Sequence, residues 1–187
     1  MLLVAFSNNG PGGKCNVLDY YSRKQSRVVR STWGAELGQL SDGADLLLVL
    51  AGAMLELQGK LHTVHQLRDF VSGQWKPPPP SMPLHACTDA RSVYSGITAS
   101  VVKMPVERHT LYHAQWIREL LNQHVLDGLW WIDTRDCCAD GMTKGACDRG
   151  PILKVMHGIW RLEHEALGWS APLGSNSAAA PAATTEC

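Results

Sequence analysis

The sequence lacks several features that would assign it to a class of protein at once. Its 187 residues contain no apolar run of about 20 residues, the length that spans a bilayer, so we expect no membrane segment. The first residues, MLLVAFSNNG, have no basic stretch and too short an apolar run for a signal peptide. Lysine plus arginine and aspartate plus glutamate each count 17. Net charge therefore indicates no partner, and only local clusters of charge can do so.

The six cysteines form no CxxC pair. His109 and His113, taken together with Cys137, Cys138 and Cys147, have spacings that match no zinc module. We therefore expect a reduced intracellular chain, cytoplasmic or nuclear, whose cysteines pack in the core. A disulfide framework or a zinc site is the alternative.

Length and composition are typical of one globular domain, since 45% of the residues are hydrophobic and 18% are charged. We place this domain at residues 1–168 and expect the small-residue segment 169–187 to be a disordered tail. Four prolines at 77–80 favour an extended connector. We interpret it as part of the domain, although a boundary between two small domains would also fit.

Short apolar runs and longer periodic segments alternate along the chain. The runs 2–6 and 15–21 flank the turn sequence SNNGPGG and predict a hairpin. The other predicted elements are a strand at 27–31, a long helix with Thr32 at its N-cap, an amphipathic segment at 61–71, a strand at 84–88 followed by a helix after Asp89, a helix at 109–126, a strand at 128–134, a turn or short helix at 139–146 and a terminal helix at 150–169. This β-β-β-α-β-α-α-β-α order predicts an α/β fold with helices on the faces of a mixed sheet.

Three carboxylates stand at predicted ends of strands or starts of helices: Glu36, Asp89 and Asp140. In an open α/β sheet such positions converge on one crevice. Carboxylates gathered there favour a divalent cation with a preference for oxygen, such as Mg²⁺ or Mn²⁺. The alternative is that they are surface groups and helix caps, with Asp89 the N-cap of the helix that it precedes.

Four cations, Arg23, Lys24, Arg27 and Arg30, lie just ahead of Glu36. They would suit a solvated edge strand, because charge discourages pairing between edges. They would equally suit a groove that binds a phosphate backbone in a salt-dependent way.

Four segments carry motifs in a fixed order: SRKQSRVVRSTWGAEL (22–37), HACTDARSVYSGI (85–97), RHTLYHAQWIREL (108–120) and DGLWWIDTRDCCADGMTK (127–144). Together they resemble the ribonuclease H domain of copia-type retrotransposon reverse transcriptase polyproteins. The matching residues are Ser22, Lys24, Gln25, Ser31, Thr32, Ala35, Glu36, Asp89, Ser92, His109, Ile117, Arg118, Glu119, Ala139, Asp140, Thr143 and Lys144.

The resemblance implies a ribonuclease H-like mixed sheet flanked by helices. It also implies hydrolysis of the RNA strand of RNA/DNA hybrids with two Mg²⁺ or Mn²⁺ ions. Glu36, Asp89 and Asp140 would be the catalytic metal ligands, and Lys144 would join the basic cluster in binding nucleic acid. An upstream reverse transcriptase segment would be the partner within a polyprotein.

The chain departs from the family pattern at three places. The family's first strand carries a metal-binding Asp upstream of the Ser-x-Lys-Gln element, and MLLVAF aligns better with the second strand. Ala90 replaces the Asn that often follows the metal-binding Asp, and Leu111 replaces a common acid. We therefore expect a domain that lacks its first strand and has little or no activity alone. The alternative is a non-catalytic nucleic-acid-binding or scaffold remnant.

Overall fold

A computed structural model describes residues 2–8, 10–21, 31–76, 82–101, 108–140 and 148–171. Within these residues the chain has a mixed α/β fold, as predicted. Its helices are α1 (Thr32–Leu57), α2 (Val64–Val71), α3 (Arg91–Thr98), α4 (Thr110–Asn122) and α5 (Gly150–Met156), with a 3₁₀ turn at Thr134–Asp136. Its strands are β1 (Leu2–Ser7), β2 (Gly13–Tyr21), β3 (His85–Thr88), β4 (Gly128–Ile132), β5 (Ile159–Trp160) and β6 (Ala166–Trp169).

The predicted hairpin is confirmed, because β1 pairs with β2 in antiparallel register and places Ala5 opposite Val17. Gly12, in the turn between the two strands, has a φ of 117°, and Gly13, the first residue of β2, has a φ of 90°. Side chains other than glycine rarely adopt such φ values, so these glycines allow the chain to reverse.

The strands form two small sheets and not the single mixed sheet that the sequence predicts. One sheet is antiparallel, with the order β1-β2-β5. In the other, with the order β3-β4-β6, β3 and β4 run parallel while β6 is antiparallel to β4. The carboxyl ends of β3 and β4 therefore lie at the same edge, which positions the loops that follow them.

Helix α1 contributes one face to the core. The apolar residues of this face recur every three or four positions and are buried, with Leu37, Leu48 and Leu55 each 0–3% exposed. Helices α3 and α4 pack on it through Val93, Ile97 and other buried residues of the same cluster. The N-cap of α1 is Ser31 and not Thr32 as predicted, because the Ser31 hydroxyl accepts a hydrogen bond from the Gly34 N–H at 3.1 Å.

The prediction of one terminal helix at 150–169 is wrong. Helix α5 ends at Met156, and Gly158 has a φ of 81°, which ends the helical turn. The following residues form β5, which pairs with β2, and β6, which pairs with Trp130 and its neighbours on β4. The 109–126 helix likewise ends earlier than predicted, at Asn122, and His124 follows with a φ of 53°.

Several predictions fall outside the described residues. They are most of the strand at 27–31, the prolines at 77–80, most of the segment at 139–146 and the tail from residue 172. Strand β6 extends to Trp169, the first residue of the segment that we expected to be a tail. Among the described helices, none combines the length and the apolar character that crossing a bilayer requires.

Candidate metal-binding pocket

The three carboxylates that the sequence singles out line one cavity of about 480 Å³, which we call the carboxylate pocket. Asp89 directly follows β3, and Asp140 lies beyond β4 and the 3₁₀ turn. Because β3 and β4 are parallel, their following loops meet at one edge of the sheet. Glu36 reaches the same pocket from the second turn of α1.

The tightest group in this pocket contains a thiol. Donor atoms of Asp89, Cys137 and Asp140 all lie within 4.8 Å of one another, and all three residues are half-buried. Glu36 lines the pocket but is not part of this group. The structure thus brings the three predicted acids to one place and adds a cysteine that the sequence motifs did not single out.

The main chain at Asp89 is held by its neighbours. Trp131 donates its indole N–H to the Asp89 carbonyl at 2.9 Å, and the Thr88 hydroxyl accepts from the Ala90 N–H at 3.2 Å. The N-cap position of α3 is Ala90, with no side-chain hydrogen bond to the helix. The alternative interpretation of Asp89 as the helix N-cap is therefore wrong. The guanidinium of Arg91 lies 4.9 Å from the Trp131 ring centroid, so a cation stands near the end of β3.

A contact between helices brings Glu36 to the pocket. Trp33, on the first turn of α1, donates its indole N–H to the Ser92 carbonyl of α3 at 3.2 Å. Gly96 lies against the same indole, since a Cβ atom there would be 3.4 Å from the Trp33 Nε1 atom. These contacts join the start of α1 to the helix that follows Asp89.

The loop that carries Cys137 and Asp140 starts at a buried carboxylate, Asp136, which is 4% exposed. Asp136 accepts hydrogen bonds from the Glu163 N–H at 3.1 Å and from the His164 N–H and Nδ1 at 2.9 Å each. Burial acts to raise the pKa of Asp136, but these hydrogen bonds outweigh it and hold the pKa below its usual value. Asp136 therefore ties the start of the pocket loop to the segment that leads into β6.

Three thiols face this region. Burial, together with the nearby thiols of Cys138 and Cys137, raises the pKa of Cys87 to about 12. Burial and then the carboxylate of Asp89 raise the pKa of Cys137 to about 12, and burial raises the pKa of Cys138 to about 11. All three are free cysteines that line the pocket. A sequence signal did exist, because a Cys-Cys pair stands beside the Ala-Asp motif and Cys87 lies two residues before Asp89.

The histidines that we weighed for a zinc site contribute no donor to this group. His113 Nδ1 lies 2.9 Å from the Ser41 hydroxyl and joins α4 to α1, while His109 is the N-cap of α4. Arg118, a residue of the motif resemblance, donates to the Ala99 carbonyl at 2.6 Å and so supports the end of α3. The basic residues predicted to bind nucleic acid, Arg23, Lys24, Arg27, Arg30 and Lys144, lie outside the described residues.

A second cavity of about 510 Å³ adjoins the carboxylate pocket. Ala5 of β1 and His85 and Cys87 of β3 line both cavities. Within the described part of the chain, β1 pairs only with β2 and β3 pairs only with β4, so each strand has one edge without a neighbouring strand. The two sheets are thus separated by a cleft that has a strand on either side, and α1 contributes Leu47 to both cavities.

Comparison with protein-family models, with curated proteins and with solved structures finds no match for this chain.

Proposed function

We propose that this chain is a ribonuclease H-like domain of a copia-type retroelement, which acts on the RNA strand of RNA/DNA hybrids and is impaired by the lack of its first strand. The observation that carries this proposal is the convergence of Glu36, Asp89 and Asp140 on one pocket. These residues come from three separate motifs of the resemblance, and nothing in their sequence spacing requires them to meet.

The donor chemistry partly fits the metal that the family uses. Carboxylate oxygens are the ligands that Mg²⁺ and Mn²⁺ take, and Glu36, Asp89 and Asp140 offer them. Two such ions, when bound, supply an activated water and stabilise the leaving oxygen. The protein's part is to hold the acids in place, which Trp131 does at Asp89 and Asp136 does for the loop that carries Asp140. The thiol of Cys137 is a softer donor than Mg²⁺ or Mn²⁺ prefers.

The cleft between β1 and β3 supports the idea of a missing strand. In the described part of the chain β1 and β3 each have one edge with no neighbouring strand, so a strand placed there could form a ladder with both. It would also run beside the carboxylate pocket, since Ala5 and Cys87 line both cavities. We propose that an upstream polyprotein segment supplies this strand together with the fourth acid.

The direct test is cleavage of a labelled RNA/DNA hybrid at low salt with Mg²⁺ or Mn²⁺. We expect weak metal-dependent cleavage that Asp89→Asn and Glu36→Gln abolish. Glu56→Gln is the matched control, because Glu56 lies on the same helix about 30 Å from Glu36 and is exposed. Cleavage that persists in Asp89→Asn would contradict the proposal.

Binding distinguishes the second candidate function, a non-catalytic nucleic-acid-binding remnant. The replacements at Ala90 and Leu111 favour this candidate. Salt-sensitive binding of the hybrid without turnover would support it, whereas absence of both binding and cleavage would exclude the two candidates together. Lengthening the chain with an N-terminal strand that carries an aspartate should raise cleavage well above that of the unextended chain, if the lack of this strand is what limits activity.

A further inference from the structure

The thiol in the Asp89, Cys137 and Asp140 group changes which cations the site selects. The donor atoms of these three side chains lie within 4.8 Å of one another and are half-buried. Two carboxylates alone would offer only hard oxygen ligands. A thiolate among them disfavours Mg²⁺, which takes oxygen ligands in octahedral geometry, and favours a softer divalent ion.

The spacing of the donors suits a small tetrahedral ion. With metal–sulfur bonds of about 2.3 Å and metal–oxygen bonds of about 2.0 Å, neighbouring donors in a tetrahedral site lie roughly 3.5 Å apart. Donor atoms that lie within 4.8 Å of one another reach this separation when rotation of the side chains moves them by about an ångström. Three protein ligands leave the fourth position open to water or another small ligand.

Cys137 is not an isolated thiol. Cys87 and Cys138 line the same pocket but lie outside the group of three donors. The pocket therefore combines three carboxylates with four free cysteines, because Cys15 also lines it. Thiolate and carboxylate are both ligands that zinc-like ions take, and the Cys137 thiol distinguishes this group from a purely acidic surface cluster.

We propose that Asp89, Cys137 and Asp140 bind a thiophilic divalent cation of the Zn²⁺ class, with one coordination position open. Binding exchanges the Cys137 S–H bond for a sulfur–metal bond and releases the proton to solvent, so no oxidant takes part. This metal preference concerns the pocket of the proposed function but does not depend on nuclease activity. A zinc-like ion bound there would occupy two carboxylates that Mg²⁺ would need.

The test uses the full-length reduced chain and Co²⁺, a spectroscopic substitute for Zn²⁺. Wild-type protein should develop thiolate-to-cobalt charge-transfer absorption with one equivalent of Co²⁺. Excess Zn²⁺ should abolish this absorption, and millimolar Mg²⁺ should not. Cys137→Ser should lose the charge-transfer band and weaken Co²⁺ binding by at least about tenfold. Asp89→Asn should weaken binding while keeping the band.

Cys138→Ser is the matched control, because Cys138 adjoins Cys137 and lines the pocket but is not in the donor group. It should keep both the band and the affinity. A band that survives in Cys137→Ser, or a wild-type chain that shows no thiolate band, would overturn the proposal.

A second measurement uses only the wild-type chain, so its result does not depend on whether a variant folds. Zn²⁺ should slow alkylation of Cys137 in the wild-type chain more than that of Cys138, as located by fragment mass spectrometry. Equal rates with and without Zn²⁺ would overturn the assignment. Neither measurement involves hybrid cleavage, so the metal site and the nuclease function can fail separately.

Discussion

Removal of the Asp136 carboxylate should destabilise the fold strongly, because this buried group joins two distant segments. Asp136 accepts three hydrogen bonds, from the Glu163 N–H, the His164 N–H and His164 Nδ1, at 2.9–3.1 Å. Hydrogen bonds to a charged group contribute about 1.5–3 kcal/mol each, and their effects are not additive. Asp136→Ala would also leave two backbone donors without their acceptor. We expect the free energy of unfolding to fall by about 3 kcal/mol.

Urea denaturation followed by circular dichroism measures this effect. With a slope of about 2 kcal/mol per molar urea, a loss of about 3 kcal/mol lowers the unfolding midpoint by about 1.5 M. Glu163→Gln is the control, because it removes one negative charge from the segment that donates to Asp136 and weakens only a solvent-exposed ion pair with Lys154, while the Glu163 N–H remains. A shift for Asp136→Ala no larger than that of Glu163→Gln would show that the Asp136 carboxylate does not hold the two segments together.

The dependence of stability on pH also tests Asp136, because the pKa of this group fixes the direction in which stability should change. The pKa of Asp136 is lowered in the folded chain. Its ionised form therefore stabilises the fold above the usual carboxyl pKa of about 4, and this stabilisation disappears as the pH falls through the lowered pKa. Below about pH 4 the urea midpoint of the wild type should fall more steeply than that of Asp136→Asn. Parallel decreases would contradict the assigned role of this carboxylate.

Two further substitutions and one labelling experiment test the packing around the core and the pocket. Gly168→Ala should destabilise the fold by about 1–3 kcal/mol in urea denaturation, since the new Cβ would lie 2.8 Å from the Trp130 ring. Ser31→Ala should cost about 1 kcal/mol in the same assay through loss of the α1 cap. At pH 8, Cys87 should react slowly with iodoacetamide in the native chain and rapidly in urea, because its pKa of about 12 leaves little thiolate.

The controls for these changes lie nearby in the sequence or the fold. Gly38→Ala should stabilise α1 by about 0.5–1 kcal/mol, because no atom lies within 4 Å of the new Cβ. Thr32→Ala should cost clearly less than Ser31→Ala, since Ser31 is the cap. If Gly168→Ala stabilised the fold, the predicted clash with Trp130 would be wrong. If Ser31→Ala and Thr32→Ala cost the same, Ser31 would not be the cap. If native and unfolded Cys87 reacted at the same rate, burial would not be what protects this thiol.

Local patterns predict the elements whose stability depends on one apolar face. The helix α1 and the hairpin are examples, because the periodicity of their apolar residues records which side is buried. The end of the chain behaves differently. The segment 150–169 has a partly helical pattern, yet Gly158 ends α5 because the next residues pair with β2, and the Gly158 carbonyl accepts from the Cys15 N–H at 2.9 Å. Such pairing between distant segments leaves little trace in local periodicity.

The acids of the candidate site were predictable, whereas the Cys-Cys pair beside the Ala-Asp motif does not by itself indicate which thiol joins them. Glu36, Asp89 and Asp140 each stand at a strand end or helix start, where the geometry of parallel strands gathers side chains. Cys137 joins two of them only because the loop after β4 returns to the end of β3. Sequence spacing identifies zinc modules when the ligands lie close together in the chain, so it misses a group assembled from separate loops.

The proposed function depends on one pocket holding Glu36, Asp89 and Asp140 around divalent cations. Paramagnetic broadening of backbone amide signals by substoichiometric Mn²⁺ tests it most directly. Signals from residues next to all three acids should be lost selectively, and the signal of Glu56 at the far end of α1 should be unaffected. Broadening spread over unrelated surface acids, or sharp signals around Glu36 while others disappear, would contradict it.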